Sequence, residues 1–336
     1  LSNIDEVYDW LLALSDVLNQ SMSPDEYIWP FSMPNKIPGE DDIPIVRVEN
    51  QEDITYREHL AEKYGRRLQL ITGIHYNFSF AESFIDELYK NQDVFESKKA
   101  LKNHLHLKLA SNFLRYEWLL LYLYGAAPYA LPSFFKETAD HLETPKNYTR
   151  SIRNGKFGYH NDDQLIVRYD SLETYVNDIA DAVENGMLVH HREFYGNARL
   201  RGGNSLDQLE EKGIQYIEFR SFDINPYSEV GITKEQLAFI HLFFLAMVWM
   251  PEVADQQAID LGQKMMMATA TEDPLSVTEY IDEAKDLLKI MEEVRKELQL
   301  PEVYQIALNN AQEAIEQPEL TLAGQVVTDL ESTNYL

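Results

Sequence analysis

The 336-residue chain contains no cysteine, and that absence removes disulfides, thiolate metal sites and a cysteine nucleophile together. It also suits a reducing compartment, so the cytoplasm is the expected location. Basic residues are scarce: 29 Lys and Arg face 56 Asp and Glu, leaving a net charge of −27. Nucleic-acid binding needs a basic face and anionic lipid attracts polybasic segments, so neither nucleic acid nor a membrane is expected as a partner. Long apolar runs are missing too. The richest stretch, residues 237–250, carries His241 and is shorter than the roughly 20 residues of a membrane span. Gly202-Gly203-Asn204-Ser205 lacks the Lys-Ser/Thr of a P-loop and reads as a turn, although its neighbours Arg199 and Arg201 could help it hold an anion. No Gly-x-Ser-x-Gly elbow occurs. The chain opens at Leu1 without a basic-then-apolar leader, so no signal peptide is read there, and the sequence is expected to come from inside a longer protein.

What is present is globular material: 45% hydrophobic, 25% charged and 12% aromatic, with 20 Tyr. This length lies slightly above the size at which single cores stop growing, so one large domain with appendages, or two domains, are expected. Ser2 with Asp5 makes a capping box ahead of a helix marked by Ile4, Val7, Leu11, Leu14 and Leu18. Residues 21–55 are Pro-rich and irregular. A helix over 56–64 leads through Gly65 to a strand over 68–80, followed by helices over 81–91 and 94–124. After a loop-rich stretch, 165–169 reads as a strand, 171–184 as a helix and 216–222 as a second strand, while 188–201 is ambiguous. Thr233 with Gln236 caps an apolar helix ended by Pro251, and helices near 276–299, 302–316 and 320–332 fill the C-terminal third. Strands come first and helices accumulate later without βαβ alternation, which is an α+β pattern. Among the histidines, His104 and His106 point apart on a helix, His190-His191 reads as a solvated pair, and His241 as a satisfied core residue.

Two strands carry polar groups in register. Along 69–80, alternation puts Leu70, Thr72, Ile74, Tyr76, Phe78 and Phe80 on one face, and Gln69, Ile71, Gly73, His75, Asn77 and Ser79 on the other. A polar face can simply be solvated, yet an interior Gly weakens a strand unless something must approach closely. Along 216–223, Tyr216, Glu218 and Arg220 share a face. Glu218 and Arg220 read as a surface ion pair, or else Glu218 and His75 read as the residue types that accept a cation. Pattern alone leaves both open.

These segments resemble the bacterial glutamate–cysteine ligases, and in particular the ligase module of the bifunctional glutathione synthetases of Gram-positive bacteria. The resemblance rests on residues 70–79 (Leu-Ile-Thr-Gly-Ile-His-Tyr-Asn-Phe-Ser) and 216–226 (Tyr-Ile-Glu-Phe-Arg-Ser-Phe-Asp-Ile-Asn-Pro), with Trp29-Pro30-Phe31-Ser32-Met33-Pro34, Tyr56-Arg57-Glu58, and Ser151-Ile152-Arg153-Asn154 with Gly158-Tyr159, in the family's order. It implies an antiparallel or mixed sheet forming an active-site funnel packed with many helices, similar to glutamine synthetase. Residues 1–260 would be the catalytic core and 261–336 the helical C-terminal part of the same module. It implies His75 and Glu218 as ligands of Mg²⁺ on the ATP phosphates, Arg153 and Arg220 on the transferring phosphoryl group, and Tyr56, Leu60, Gln69, Ile71, Tyr159 and Tyr195 around the cysteine substrate. Substrates would be glutamate, cysteine and ATP, with an ATP-grasp glutathione synthetase module fused or adjacent.

The resemblance departs at the front. The family's Gly-x-Glu-x-Glu segment, which brings most metal carboxylates, has no counterpart before Trp29, so residues 1–336 alone are expected to show little or no ligase activity. A non-catalytic fragment of a bifunctional synthetase, and a sister ligase using another amine, are the rival expectations. Met265-Met266-Met267 falls where nucleotide contacts would be sought, but too little is recognised there to assign any.

Overall fold

A sixteen-residue helix, Lys234–Trp249, is apolar nearly all the way round, and ten of its residues are buried. Such a helix belongs inside a core rather than on a surface, and the rest of the chain is built about it. The computed structural model describes residues 3–37, 39–46, 48–135, 144–162, 164–253 and 255–332. In chain order its helices and strands are α1 (Ile4–Ser21), α2 (Gln51–Tyr64), β1 (Ile74–Phe78), α3 (Glu82–Lys90), α4 (Lys98–Tyr116), α5 (Trp118–Tyr124), α6 (Leu172–Glu184), β2 (Ala198–Arg201), α7 (Leu206–Lys212), β3 (Tyr216–Phe222), α8 (Lys234–Trp249), α9 (Gln256–Thr271), α10 (Ile281–Glu297), α11 (Glu302–Ala314) and α12 (Leu322–Ser332). The class is α+β, with a small antiparallel sheet of order β1-β3-β2 and a helical C-terminal third.

Helix α8 packs against α4, α10, α11 and α1. Phe239, Phe243 and Phe244 are wholly buried in it, and Phe219 of β3 stacks on Phe244 with centroids 4.3 Å apart. One cluster of buried side chains runs from Ile4 to Ile315, so sheet and C-terminal helices share a core. Helix α9 crosses residue 260 without a break. Among the described residues no helix is long and apolar enough to cross a membrane.

Several elements differ from the sequence expectation. Helix α1 is capped by Asn3, whose side chain accepts from the Glu6 N–H at 2.9 Å; Ser2 lies outside the described residues. Helix α2 starts at Gln51 because Asn50 caps it. The strand expected over 68–80 shrinks to Ile74–Phe78, since Leu68–Leu70 closes a 3₁₀ turn. The helix expected over 94–124 begins after Ser97 and is interrupted at Glu117. Residues 165–169 join no ladder; there the Arg168 N–H and guanidinium turn instead to Asp178. Helices α7 and α9 were not expected. The His190–His191 pair is half-buried rather than solvated, its rings 4.1 Å apart, and burial pushes His191 down to about 4. Met265 and Met266 are core residues.

The capping box of α8 is present: the Gln236 N–H donates to Thr233 Oγ1 at 3.2 Å, and the Thr233 N–H donates to Gln236 Oε1 at 2.9 Å. Thr233→Ala is expected to lower unfolding free energy by about 1 kcal/mol, measured by denaturant melts. A shift under a few tenths of a kcal/mol would show that the box contributes nothing.

Candidate active site

The site is built on a β-bulge. Ile74 pairs with Phe222 but Tyr76 with Phe219, so Arg220 and Ser221 together oppose His75. An extra residue reverses the facing of everything beyond it. Phe222 therefore joins Ile217 and Phe219 in the core, while Asp223 turns toward the polar face that already carries Glu218 and Arg220. Simple alternation would have placed both residues the other way.

Glu218 is the hub of that face. Its Oε1 lies 2.9 Å from His75 Nδ1 and accepts from Arg220 Nη1 at 3.0 Å; its Oε2 accepts from Arg201 Nε at 2.7 Å. Burial pushes this carboxyl up, but the His75 hydrogen bond and the charges of Arg201 and Arg220 outweigh it and hold it at about 2. Glu218 is thus ionised at any physiological pH.

Arg153 reaches the same place from a loop. Its Nη2 donates to the Arg220 carbonyl at 2.5 Å, and its Nη1 lies 3.3 Å from Asp223 Oδ1. Asp223 is fully buried and also accepts from the Ala126 N–H at 2.8 Å and from Asn154 Nδ2 at 3.1 Å. The guanidinium lies against Gly73 so closely that a Cβ there would overlap it, and a Cβ at Gly158 would run into the Arg153 carbonyl. This is the close approach that an interior strand Gly implied. The loop is anchored upstream by Arg150, which is buried with Glu272 Oε2 at 3.0 Å and lies 3.9 Å above the Tyr122 ring.

The opposite wall is aromatic. Tyr159 donates to the Tyr195 hydroxyl at 2.7 Å, and Tyr64 meets the Tyr159 ring edge-on at 4.8 Å. Buried Glu193 fixes this wall by accepting from Lys63 Nζ at 2.6 Å, Tyr64 Oη at 2.5 Å and the Val189 N–H at 2.5 Å. Burial raises the phenols of Tyr56, Tyr64, Tyr159 and Tyr195, so they remain neutral donors.

A cavity of about 120 Å³ lies between the two walls, lined by Ile71, Gly73, His75, Arg153, Asn154, Tyr159, Tyr195, Asn197 and Arg220. Six of the ten expected site residues therefore converge on one space, with Glu218 in contact with its His75 and ion-paired to its Arg220. Tyr56 meets it through Tyr195. Leu60 is wholly buried and can only back the wall. Gln69 lies in the 3₁₀ turn, and its buried Nε2 has no hydrogen-bond partner among the described residues. Sequence reasoning missed Arg201, Asp223, Asn197, Glu193 and Glu117. Only Arg201 had a signal, as one of two arginines beside the Gly pair. His75 and Glu218 are two candidate metal ligands; among the described residues no group of three or more His, Cys, Asp or Glu could hold an ion.

Comparison with known proteins places this geometry. The chain is 37% identical over 332 residues to the glutathione biosynthesis bifunctional protein of Pasteurella multocida, covering 98% of this chain and 43% of the relative. It is 38% identical over 327 residues to the protein of that name from Streptococcus agalactiae, covering 97% and 42%. The chain thus spans less than half the length of these curated relatives. The crystal structure of the Pasteurella multocida bifunctional glutathione synthetase matches with a TM-score of 0.91 at 34% identity, over 99% of this chain and 43% of that one. The glutamate–cysteine ligase of Francisella tularensis, solved in complex with AMP, shares the fold with a TM-score of 0.84 at 24% identity, over 98% and 74%. The family model described as glutamate-cysteine ligase matches residues 1–267, and the chain belongs to that family.

Proposed function

We propose that this chain carries the catalytic site of an ATP-dependent glutamate–cysteine ligase. The observation that supports this reading most is a pair of guanidiniums, Arg153 and Arg220, lining a small cavity in a chain of net charge −27. A γ-carboxylate is a poor electrophile. Phosphoryl transfer from ATP converts it to an acyl phosphate and releases ADP. The amine nitrogen of cysteine then bonds to that carbonyl carbon, loses a proton, and expels phosphate as the C–O bond breaks. Such chemistry asks for positioning and charge neutralisation rather than a nucleophile.

Arg153 and Arg220 are the groups for the transferring phosphoryl oxygens. Each is pre-set: Arg153 by Asp223 and Gly73, Arg220 by Glu218. The neutral tyrosines Tyr56, Tyr159 and Tyr195, with Ile71 on the lining, Leu60 behind it and the unspent Gln69 amide nearby, form the pocket for cysteine. The Glu218 carboxylate and the His75 imidazole, 2.9 Å apart on one face, are the oxygen and nitrogen donors that would hold a Mg²⁺ ion. When bound, the ion would neutralise nucleotide phosphate charge. An ATP-grasp glutathione synthetase module, fused or adjacent, would consume the product, and the cytoplasm is the compartment that suits this ATP-dependent, cysteine-free chain.

One observation favours a second reading, a non-catalytic portion of a longer ligase: His75 and Glu218 have no third candidate ligand beside them among the described residues. ADP release with and without cysteine separates the two, measured on residues 1–336 and on a form extended by upstream coding sequence. The expected result is glutamate- and cysteine-dependent ADP release by the extended form and little by residues 1–336. Robust turnover by the short form would sink the second reading, and no cysteine dependence in either form would sink the first. Faster turnover with another amine would make the chain a sister ligase.

A further inference from the structure

One amide acceptor on the cavity wall takes no hydrogen bond among the described residues. The cationic and phenolic groups on its walls suit anions and carbonyl oxygens, and the amide oxygen of Asn154 is already taken by Arg153 Nη1 at 3.3 Å. Asn197 differs. Its Nδ2 donates to both oxygens of Glu117, each at 3.0 Å, so its Oδ1 is turned away from that carboxyl and takes no hydrogen bond among the described residues. Its backbone is fixed as well, because its carbonyl accepts from the Arg220 N–H at 3.0 Å. Glu117 is 1% exposed and sits at the break between α4 and α5. It is also bonded to Ser221, the bulge residue beside Arg220. The two donations hold the amide with its nitrogen toward Glu117 and its oxygen toward the cavity.

We propose that Asn197, oriented by Glu117, is a specificity residue that accepts an N–H from the amine of the second substrate and holds that amine beside Arg220. The inference rests on the ligase reading and adds to it the group that selects an amine. An acceptor there attracts an ammonium or amine and repels a carboxylate or phosphate oxygen, so it would also keep the amino end of the substrate, rather than its acid end, toward the transferring group. Glu117 is a positioning residue in this scheme, since it touches no substrate.

The test compares two ligands that differ only in the amine: L-2-aminobutyrate, which replaces the cysteine thiol with a methyl group, and butyrate. Binding of each to wild-type protein and to Asn197→Ala is measured by calorimetry at fixed pH, with melting curves on both proteins. The expected result is an approximately tenfold loss of 2-aminobutyrate affinity in the variant, the size of one hydrogen bond to a charged group, with butyrate changed less than twofold. Equal losses for both ligands, or no loss, overturn the proposal while leaving the ligase reading intact. A larger loss for butyrate also overturns it, and would show that the amide presents its N–H to the cavity. Wild-type protein that binds neither ligand overturns the ligase reading and this proposal together. Glu117→Gln, which can still accept from Asn197 Nδ2, is expected to keep the discrimination; its loss in that variant, with 2-aminobutyrate still bound, would count against the orienting role.

Discussion

Gly73→Ala lowers kcat by about 100- to 1000-fold, as far as Arg153→Ala, although the added atom is a single methyl group. That is the expected result, and it follows from where the methyl would go. A Cβ at position 73 falls inside the Arg153 guanidinium, the far end of a flexible side chain, so the arginine moves and the strand stays. Moving it breaks the donation to the Arg220 carbonyl and the pairing with buried Asp223. Losing one pre-set donor that meets charge developing in a transition state costs a factor of this size. Because both substitutions remove one interaction, the double variant should be no slower than either single one. Rate constants from ADP release on the active form of the protein check it. Wild-type kcat in Gly73→Ala would remove Arg153 from the mechanism or show that the loop carrying it tolerates a new position.

The stability of the wild type relative to Glu117→Gln should fall as pH rises toward 8. Burial pushes the Glu117 carboxyl up to about 8 from an ordinary 4.5, against the hydrogen bonds from Asn197 and Ser221. A carboxyl raised in the folded state binds a proton there that the unfolded chain has already released. Its contribution is therefore complete below about pH 4.5 and is lost as pH climbs through 8. Between those limits the loss is about 1.4 kcal/mol per pH unit, or on the order of 5 kcal/mol in all. Other groups act in the opposite sense: Glu218, held at about 2, contributes its full stabilisation above the ordinary carboxylate range, and burial lowers His106 and His191 to about 4 and His190 and His241 less far, so these imidazoles add stability until the unfolded chain has lost its own imidazole protons. None of these groups changes in Glu117→Gln, so between about pH 6.5 and 8 the difference between the two proteins reports Glu117 alone. Urea melts of wild type and Glu117→Gln across that interval should diverge in slope; parallel curves would mean that Glu117 is ionised when folded.

The parts of the fold legible in the sequence are those fixed by short-range physics. Strand β3 was marked by period-two alternation and α8 by a capping box ahead of an apolar run, and both elements occur where these signals lie. Strand β1 was over-extended because Gln69 and Ile71 continue the alternating pattern, whereas Gly65 and the two arginines after it start a turn held by Glu40. The bulge at Arg220 and Ser221 leaves no trace in composition, since it depends on which partner residue each backbone group finds. For that reason Asp223 was invisible as the mate of Arg153. Glu117 and Glu193 were hidden differently: each is an acid in an unremarkable context, and only the fold buries it against partners dozens of positions or more away. Resemblance supplied the names of the lining residues, but not the groups that hold them in place.

The strand order β1-β3-β2 has a consequence for how the molecule comes into being. The central strand is the last of the three to be made, so among the described strands β1 and β2 emerge before the one that pairs with both, Tyr216–Phe222. Every residue gathered on the polar face depends on that late arrival, because β3 carries Glu218, Arg220 and the bulge. Assembly must therefore join Phe78 to Tyr216 across a long stretch of chain, a non-local pairing of the kind that folds slowly and leaves strand edges open to intermolecular association in the meantime. A nascent chain stalled before residue 216 would have its tyrosine wall, its loop arginine and both outer strands, and still no cavity.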